Sequence, residues 1–410
     1  MIPVDRALAI VLEAVRLLPV EEVPLEEALG RVLGEDVHAD VDLPPFDRAA
    51  MDGYAVRAED ARDVPAVFEV TGQVRAGQLS ETAVGPGQAV QIMTGAPVPP
   101  GADAVQQVEK TRVLEGGTRV ELLVAVKRGL NVAPWASEVR TGDLVLRAGR
   151  AIDPATIATL AAFGRFRVEV GRKPRVAILV TGDELVDAAE RPGPGRIRNT
   201  NGPALVAQAR WAGADVWPLG VVADDAERIA AALVRGFEAD VLVVSGGVSA
   251  GEYDLVEPAF ARFGVEVLFD KVAIKPGAPL VFGRRGETLV FGVPGNPVSA
   301  QVTFDAFVRP ALLRLQGARC VGRPSLVAEL AGPLENRSGR RAHLPVRLRF
   351  AGGRLEAVPL RSQGSADLVA HAGANGLAVL EAERLRAEAG ERVPVLLLGN
   401  FLDREGGEDD

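Results

Sequence analysis

Apolar residues recur with different periods along the chain, and each period predicts a different kind of structure. Near the N-terminus, Leu8, Leu12 and Val15 fall on one face of a helix predicted over residues 4–18. Residues 27–145 instead carry short alternating runs that are separated by glycine and proline turns. We therefore predict an N-terminal helix followed by a β-rich region.

Two shorter patterns lie within and just after this β-rich region. The run 119–126 follows Glu-Gly-Gly-Thr, which predicts the second arm of a hairpin. Asp153 and Pro154 suit the N-cap and first turn of a helix, and Gly164 suits the position past its end. A helix is therefore predicted between Asp153 and Gly164.

In the middle of the chain the pattern becomes strand, loop, helix. Apolar runs at 176–180, 214–222 and 240–244 predict strands that are buried on both faces. Helical segments follow at 201–213 and after an N-cap at Asp224. This alternation predicts a parallel α/β sheet, in which ligands bind beyond the carboxyl ends of the strands.

The C-terminal part of the chain returns to alternation. Runs at 343–350, 353–360, 376–383 and 391–398 predict a small β-domain. The last residues, 404–410, are acidic and rich in glycine, so they are predicted to be disordered.

Composition narrows the class of protein. A chain of 410 residues predicts several domains, and 48% hydrophobic with 25% charged residues is typical of a soluble globular protein. A net charge of −9 argues against a general nucleic-acid binder, which must neutralise phosphates. The lone Cys320 excludes an intrachain disulfide and a cysteine-based metal cage, and three scattered histidines argue against a histidine-rich site. No apolar run reaches membrane length, so we expect a cytoplasmic protein that does not bind membranes.

Glycine, carboxylate and lysine residues are concentrated in five loops. TGDEL at 181–185 and SGGVSAGEYD at 245–254 follow two predicted parallel strands, at the edge where ligands bind. AMDGYAV at 50–56 and KVAIKPGAP at 271–279 have a similar composition. VPGNPVSA at 293–300 places a turn before a helix, whose free N–H groups favour an anion.

These loops contain hard oxygen ligands and two lysines. Lys271 and Lys275 are expected on one face of a strand, where they can pair with a phosphate or an oxyanion. Mg²⁺ usually holds phosphates through one or two carboxylates, so a bound dication would explain acids inside an anion-binding loop. The candidate oxygen ligands are Asp52, Asp183, Glu184, Glu252 and Asp254.

Each of these patterns also has a purely structural explanation. A strand that ends in Ser-Gly-Gly is often only a tight connection to a helix, and the acids of TGDEL can cap a turn. The two lysines can form a solvated strand face, and Pro-Gly-Asn-Pro and Asp52-Gly53 can be ordinary turns. We assign no role to His343 or His371.

Taken together, the motifs resemble molybdopterin molybdenumtransferase, the MoeA and gephyrin E-domain family. The resemblance is ordered and spans nearly the whole chain. The matching stretches are PPFDRAAMDGYAV (44–56), QIMTGAPVPPGADAV (91–105), VTGDELV (180–186), GRIRNTN (195–201), SGGVSAGEYD (245–254), FDKVAIKPG (269–277) and VPGNPVSA (293–300).

The resemblance implies a multi-domain fold of α/β and β parts. It also implies a homodimer whose active site lies between subunits, formed by the third domain of one and the second and fourth domains of its mate. The implied domains are an elongated linker domain (1–26 and 146–173), a β-rich second domain (27–145), a parallel α/β molybdopterin-binding-like domain (174–320), a C-terminal β-barrel (321–403) and the disordered acidic tail (404–410).

The implied reaction is insertion of molybdate into adenylylated molybdopterin with Mg²⁺-dependent release of AMP, which gives the molybdenum cofactor. Molybdopterin adenylyltransferase would act upstream, and molybdoenzymes would receive the product. Asp52, Glu184 and Asp254 would be catalytic acids and Mg²⁺ ligands, beside the catalytic cations Lys271 and Lys275. The implied substrate-binding residues are Thr94, Asp225, Ser245, Gly246, Gly247, Ser249, Pro294, Gly295, Asn296, Pro297, Arg347 and Ser365.

The chain departs from the family pattern at three places. Ala278 stands where a second lysine is usual, and Ala49 stands where a serine is usual. APWASE at 133–138 replaces a basic Gly-Glu-Asp run, with Glu138 in the place of an aspartate. Two alternatives therefore stay open: a tungstate-inserting relative, and a catalytically weakened pterin-binding or scaffold protein that delivers the cofactor.

Overall fold

The structure is a computed structural model that describes residues 1–247 and 255–399. The chain divides into two compact units. The first unit comprises Met1–Glu35, Ala148–Pro154 and Arg167–Asp410, and the second comprises Asp36–Arg147 and Ala155–Phe166.

The N-terminal helix is shorter than the apolar pattern predicts. It spans Val4–Ala14 rather than residues 4–18, and it buries Ala7 and Val11 together with its first residue. Val15 already has an extended backbone, so the predicted face is only partly buried.

A six-stranded sheet forms the core of the second unit. All neighbouring strands are antiparallel except one parallel pair, Ala66–Val74 with Gln88–Ile92. The predicted hairpin is present, although its second arm ends at Leu122. In spatial order the strands are Ala104–Gln107, Gly53–Val56, Gln88–Ile92, Ala66–Val74, Arg119–Leu122 and Thr111–Leu114. The helix predicted after Asp153 spans Pro154–Ala162.

The first unit contains the predicted α/β sheet. Four strands are parallel, and the last two are antiparallel to their neighbours. In spatial order they are Asp215–Val222, Arg175–Thr181, Val241–Ser245, Thr288–Val293, Pro279–Arg285 and Glu266–Lys271. The accompanying helices are Asn201–Trp211, Ala226–Gly236, Val256–Arg262, Pro297–Thr303 and Arg309–Leu315, with π-helical Phe304–Val308 between the last two.

Apolar side chains cover both faces of this sheet. Val176 and Ile178 belong to one buried cluster, whereas Ala177 and Leu179 belong to another. Successive residues of a strand point to opposite faces, so this division shows that the strand is buried on both sides. The continuous apolar run at 176–180 therefore has the structure that its pattern predicts.

The helix Ala226–Gly236 begins one residue later than predicted. Its N-cap is Asp225, whose Oδ1 accepts hydrogen bonds from the amides of Glu227 and Arg228 at 3.1 and 2.9 Å. Asp224 was predicted to be the cap but lies before it, in the loop that follows the strand Asp215–Val222.

The prediction that Lys271 and Lys275 share one strand face is wrong. Lys271 ends a strand of the α/β sheet, whereas Lys275 belongs to the short strand Ile274–Lys275 in the C-terminal sheet. The chain turns between them, since the amide of Ile274 donates to the carbonyl of Val272 only two residues earlier.

The C-terminal strands form a closed five-stranded barrel, as predicted. The ring closes because Arg341–Ala351 pairs with both Arg354–Pro359 and Gly376–Leu380. Even-numbered Ala342 and Val346 pack in the barrel core, so odd-numbered residues of that strand lie on its outer surface. The barrel strands are Ser325–Leu330, Arg341–Ala351, Arg354–Pro359, Gly376–Leu380 and Arg392–Leu397, and a helix spans Leu368–Gly373.

Short elements complete the fold. The two-stranded ribbons are Val20–Pro24 with Arg167–Gly171, Val37–His38 with Leu144–Leu146, Arg48–Ala49 with Val132–Ala133, Leu185–Val186 with Ile197–Arg198, and Leu334–Glu335 with Arg386–Ala387. The fold class is therefore confirmed, whereas the boundaries of the four predicted domains and of the tail remain predictions. The tail 404–410 lies outside the described residues. Within residues 1–247 and 255–399, no helix combines the length and apolar character needed to cross a membrane.

Candidate active site

A cleft of about 820 Å³ lies at the carboxyl ends of the parallel strands in the first unit. The loops after Arg175–Thr181, Val241–Ser245 and Thr288–Val293 line it. The structure thus brings the TGDEL, Ser-Gly-Gly and Pro-Gly-Asn-Pro loops together at one edge of the sheet. The predicted site residues that line the cleft are Glu184, Ser245, Gly246, Gly247, Pro294, Gly295, Asn296 and Pro297.

Buried Asn201 links two of these loops. Its Nδ2 donates to the hydroxyl of Ser245 at 2.8 Å and to the carbonyl of Gly295 at 2.7 Å. The Ser245 hydroxyl in turn donates to the carbonyl of Pro294 at 3.3 Å. Asn201 was not among the site residues predicted from the sequence, although it ends the GRIRNTN motif.

The loops also approach each other closely at Gly246. Its φ is +98°, and a Cβ at this position would lie 2.5 Å from the carbonyl oxygen of Thr181. Gly295 reaches the same place, since its own Cβ would lie 3.7 Å from the Cα of Gly246. A side chain at Gly246 would therefore push the walls of the cleft apart.

Carboxylates from two loops meet at the cleft. The amide of Asp224 donates to Asp183 Oδ1 at 3.1 Å. Partial burial raises the pKa of Asp224, and the negative charges of Asp183 and Glu184 raise it further. Asp224 lines the cleft, whereas the predicted Asp225 is used as the helix cap. The sequence signal for Asp224 was the pair of aspartates directly after a parallel strand.

The donor chemistry of these acids fits Mg²⁺. Glu184 and Asp224 both line the cleft and offer hard oxygen ligands, and Mg²⁺ commonly uses only one or two protein carboxylates. Mutual repulsion of the acids would be relieved by a cation. In the described part of the chain, no group of three or more histidine, cysteine or acidic residues is placed to hold a metal ion.

Arginines supply the positive charge of the cleft. Arg196 and Arg198 both line it, and Arg198 Nε donates to the carbonyl of Glu190 at 2.8 Å. Neither was selected from the sequence, although both lie in GRIRNTN. The alternation Arg-Ile-Arg could have indicated them. In extended chain it places both arginine side chains on one face, with Arg196 directly before the strand Ile197–Arg198.

A second cavity of about 460 Å³ adjoins the cleft. It holds Lys275 and Ser365 from the predicted set, together with Ala278 and Arg340. The predicted Arg347 does not line this cavity and lies exposed farther along its strand. Pro279, Pro294 and Asn296 line both spaces, so they form a shared wall.

His343 lines the second cavity and is itself buried. Burial lowers the pKa of His343 to about 4, and the charge of Arg341 acts in the same direction. The imidazole is therefore neutral at physiological pH. Its Nδ1 has no hydrogen-bond partner among the residues that the structure describes.

Two further predicted residues meet in the second unit. Asp52 Oδ1 accepts hydrogen bonds from the amide and the hydroxyl of Thr94 at 2.6 and 2.7 Å. These bonds lower the pKa of Asp52, first through the amide and then through the hydroxyl. In the APWASE segment, Glu138 pairs with Arg48 at 2.7 Å.

Four candidate residues lie elsewhere or are not described. Lys271 is exposed at the end of its strand. Ser249 and Asp254, like Glu252, lie outside the described residues, so their predicted roles remain predictions.

Three family profiles match the chain in order. The MoeA N-terminal region (domain I and II) matches residues 2–164, and the probable molybdopterin binding domain matches residues 177–314. The MoeA C-terminal region (domain IV) matches residues 327–398. These matches follow the β-rich sheet, the α/β sheet and the barrel.

Similar proteins of comparable length support the same family assignment. A molybdopterin molybdenumtransferase from Bacillus subtilis (strain 168) is 35% identical over 97% of this chain and 94% of its own length. One from Staphylococcus aureus (strain Mu50) is 32% identical, covering 97% and 95%. The crystal structure of the MoeA molybdopterin biosynthesis protein from Pyrococcus horikoshii OT3 is 30% identical, with a TM-score of 0.82 over 97% of this chain and 100% of that one. This chain therefore belongs to the molybdopterin molybdenumtransferase family.

Proposed function

We propose that this protein inserts molybdate into adenylylated molybdopterin, with Mg²⁺-dependent release of AMP, to form the molybdenum cofactor. The observation that carries the proposal is the pair of adjoining spaces with a shared wall. The larger cleft combines acids with arginines. The smaller cavity holds Lys275 and Arg340, and its two acids are already paired, Glu335 with Arg337 and Asp367 with backbone amides. The arginines of the cleft can pair with an anionic ester, and the cations of the cavity can pair with a separate oxyanion.

The cleft residues would bind the pterin ester. Arg196 and Arg198 would neutralise its pyrophosphate, and Asn201 would keep the two loops at a fixed separation. Glu184 and Asp224 would hold Mg²⁺. When bound, Mg²⁺ supplies charge stabilisation to the phosphate oxygen that departs with AMP.

The smaller cavity would receive molybdate as substrate. Lys275 and Arg340 would offset its double negative charge, and the hydroxyl of Ser365 is available as a donor. Neutral His343 adds no charge of its own, and one of its ring nitrogens can donate a hydrogen bond to the oxyanion.

We extend the proposal to the assembly and its partners. A homodimer with the active site between subunits is our expectation, with Asp52 and Thr94 acting as part of that site. The ester would come from a molybdopterin adenylyltransferase, and molybdoenzymes would receive the product.

A turnover assay with purified components tests the reaction. The protein is mixed with adenylylated molybdopterin, Mg²⁺ and either molybdate or tungstate, and AMP is quantified. We expect AMP release with molybdate, loss of most of it in Glu184→Gln, and near-normal release in Glu190→Gln, a neighbouring acid that does not line the cleft. Release with tungstate alone would identify the tungstate-inserting alternative. Tight binding of the ester without release would identify the scaffold alternative.

A further inference from the structure

A basic groove lies in the second unit, away from Asp52. This cavity of about 690 Å³ contains four cations, Arg57, Arg62, Lys127 and Arg128, and two acids, Glu59 and Asp103. It lies past the end of the strand Gly53–Val56, whereas Asp52 precedes that strand, so about 15 Å of extended chain separates them. The groove is therefore distinct from the Asp52–Thr94 pair of the same unit.

The two acids of the groove are already paired. Asp103 Oδ1 accepts from the amide of Ala58 at 2.7 Å, and its Oδ2 lies 3.6 Å from Arg128 Nε. Glu59 forms an ion pair with Arg57. Each acid thus compensates one cation, which leaves the other two cations without compensation inside the groove.

Those two cations, Arg62 and Lys127, line the same groove. The amide of Val126 donates to the carbonyl of Ala61 at 3.1 Å, so a backbone hydrogen bond joins the two segments that carry them. Both side chains are exposed, and neither forms an ion pair or a side-chain hydrogen bond with any residue in 1–247 or 255–399.

Two uncompensated charges of the same sign in one groove repel each other. A ligand with two negative charges would remove this repulsion. Arginine offers a planar fork that matches two oxygens of a phosphate, and lysine adds a compact charge beside it. The two acids that line the groove disfavour a long polyanion such as nucleic acid.

We propose that the basic groove binds a tetrahedral dianion, either an inorganic oxyanion or the phosphate of a small phosphate monoester. Arg62 and Lys127 contact its oxygens. The groove is larger than one oxyanion needs, so it has room for a group attached to the phosphate. This site is separate from the proposed reaction and does not depend on it.

The test measures the local environment of Lys127 in the full-length protein. Its amine is acylated by a limiting reagent and quantified by mass spectrometry, with exposed Lys110 of the same unit as internal reference. We expect inorganic phosphate at millimolar concentration to slow modification of Lys127 by at least about threefold and to leave Lys110 unchanged. Equal slowing at both lysines, or none at Lys127, would overturn the proposal.

Calorimetry with charge-matched variants gives a second measurement. The double variant Arg62→Gln/Lys127→Gln should weaken phosphate binding at this site by about tenfold or more, since it removes two charge-assisted contacts. The control Arg75→Gln/Lys110→Gln, which removes the same charge elsewhere in the unit, should change it by less than about twofold. If both variants weaken binding equally, only the overall charge matters and the groove is not a site.

The two sources of the ligand are separated by comparing inorganic phosphate with AMP. Binding of both with similar affinity, lost in the double variant, indicates a site for an inorganic oxyanion. Tighter binding of AMP, with the excess also lost in the double variant, indicates a phosphate monoester. AMP binding that the double variant does not weaken at all belongs to another part of the protein, such as the cleft of the proposed reaction, and contradicts the phosphate-monoester assignment.

Discussion

The side-chain amide of Asn201 donates a hydrogen bond to the hydroxyl of Ser245 at 2.8 Å, although the two residues are 44 positions apart in the chain. Both are buried, with 8% and 0% of their surface exposed. The contact joins the start of a helix to the end of a parallel strand. It therefore fixes the back of the cleft independently of any ligand.

Loss of this link should destabilise the fold. Asn201→Ala leaves the Gly295 carbonyl and the Ser245 hydroxyl without their donor, so we expect a loss of about 1–3 kcal/mol in the free energy of unfolding. Urea unfolding followed by circular dichroism measures it. Ser245→Ala removes part of the same link, so the double variant should lose less than the sum of the two single losses. Strict additivity would show that the two residues do not act together.

The raised pKa of Asp224 makes a prediction about stability against pH. A carboxyl group whose folded pKa lies above its unfolded pKa binds protons more tightly in the folded state, so stability falls as pH rises through the interval between them. Asp224→Asn removes that loss. The variant should unfold at a higher temperature than the wild type at pH 7 and show a smaller advantage at pH 3.5.

The same variant reports on Mg²⁺. We expect Mg²⁺ to raise the unfolding temperature of the wild type at pH 7, because a bound cation relieves the repulsion among the acids. Asp224→Asn should respond less. Asp225→Asn keeps a side-chain oxygen that can cap the helix, so it should respond like the wild type. A full Mg²⁺ response in Asp224→Asn would contradict the assignment of this carboxylate.

Thr94 controls the acidity of Asp52. The amide and hydroxyl of Thr94 both donate to Asp52 Oδ1 and lower the pKa of that carboxyl. Thr94→Val removes the hydroxyl alone, so the pKa should rise part of the way towards its ordinary value. Carboxyl-selective NMR titration measures it, with Thr82→Val as a control in the same unit. If the pKa of Asp52 does not change, the hydrogen bond from the Thr94 backbone amide alone lowers it.

Restoring a cation at Ala278 should strengthen oxyanion binding. Ala278 lines the smaller cavity beside Lys275, and the family resemblance leads us to expect a second lysine at this position. Ala278→Lys should lower the dissociation constant for molybdate by about tenfold, as expected for one charge-assisted hydrogen bond. Ala278→Gln has a similar length without the charge and should change the constant little. Calorimetry without pterin measures both.

Ala136 has a backbone conformation that suits glycine. Its φ is +54°, in the left-handed region where a Cβ is strained. Ala136→Gly should therefore raise the free energy of unfolding by about 0.5–1 kcal/mol. Ala133→Gly, in the strand Val132–Ala133, should lower it by a similar amount because that backbone is regular. Thermal unfolding of the two variants checks the opposite signs.

The sequence predicted the strands and their class better than the positions of individual side chains. Periodicity identifies the run at 176–180 because both faces of that strand are buried, and this depends only on apolar content. It cannot separate Asp224 from Asp225, since both precede a helix and only the backbone angles decide which one caps it. The choice left Asp224 for the cleft, which the sequence analysis did not anticipate.

Contacts between distant segments account for the other differences. The separation of Lys271 from Lys275 arises because the second lysine pairs with a strand more than 60 residues later, which local alternation does not reveal. Arg340 and Arg347 lie near the same strand, and only the packing of the barrel against the Pro-Gly-Asn-Pro turn places Arg340 at the cavity. The motifs identified the loops that form the site, whereas contacts between distant segments determine which side chains reach it.

Because Pro279, Pro294 and Asn296 line both spaces, the cleft and the cavity share these three residues as a common wall. A bulkier analogue placed on either side must press on the same three residues. Chemical probes designed for one chamber will thus compete sterically with occupants of the other, even without touching them. Inhibitor design against this fold can therefore treat the cleft and the adjoining cavity as one target with a shared wall.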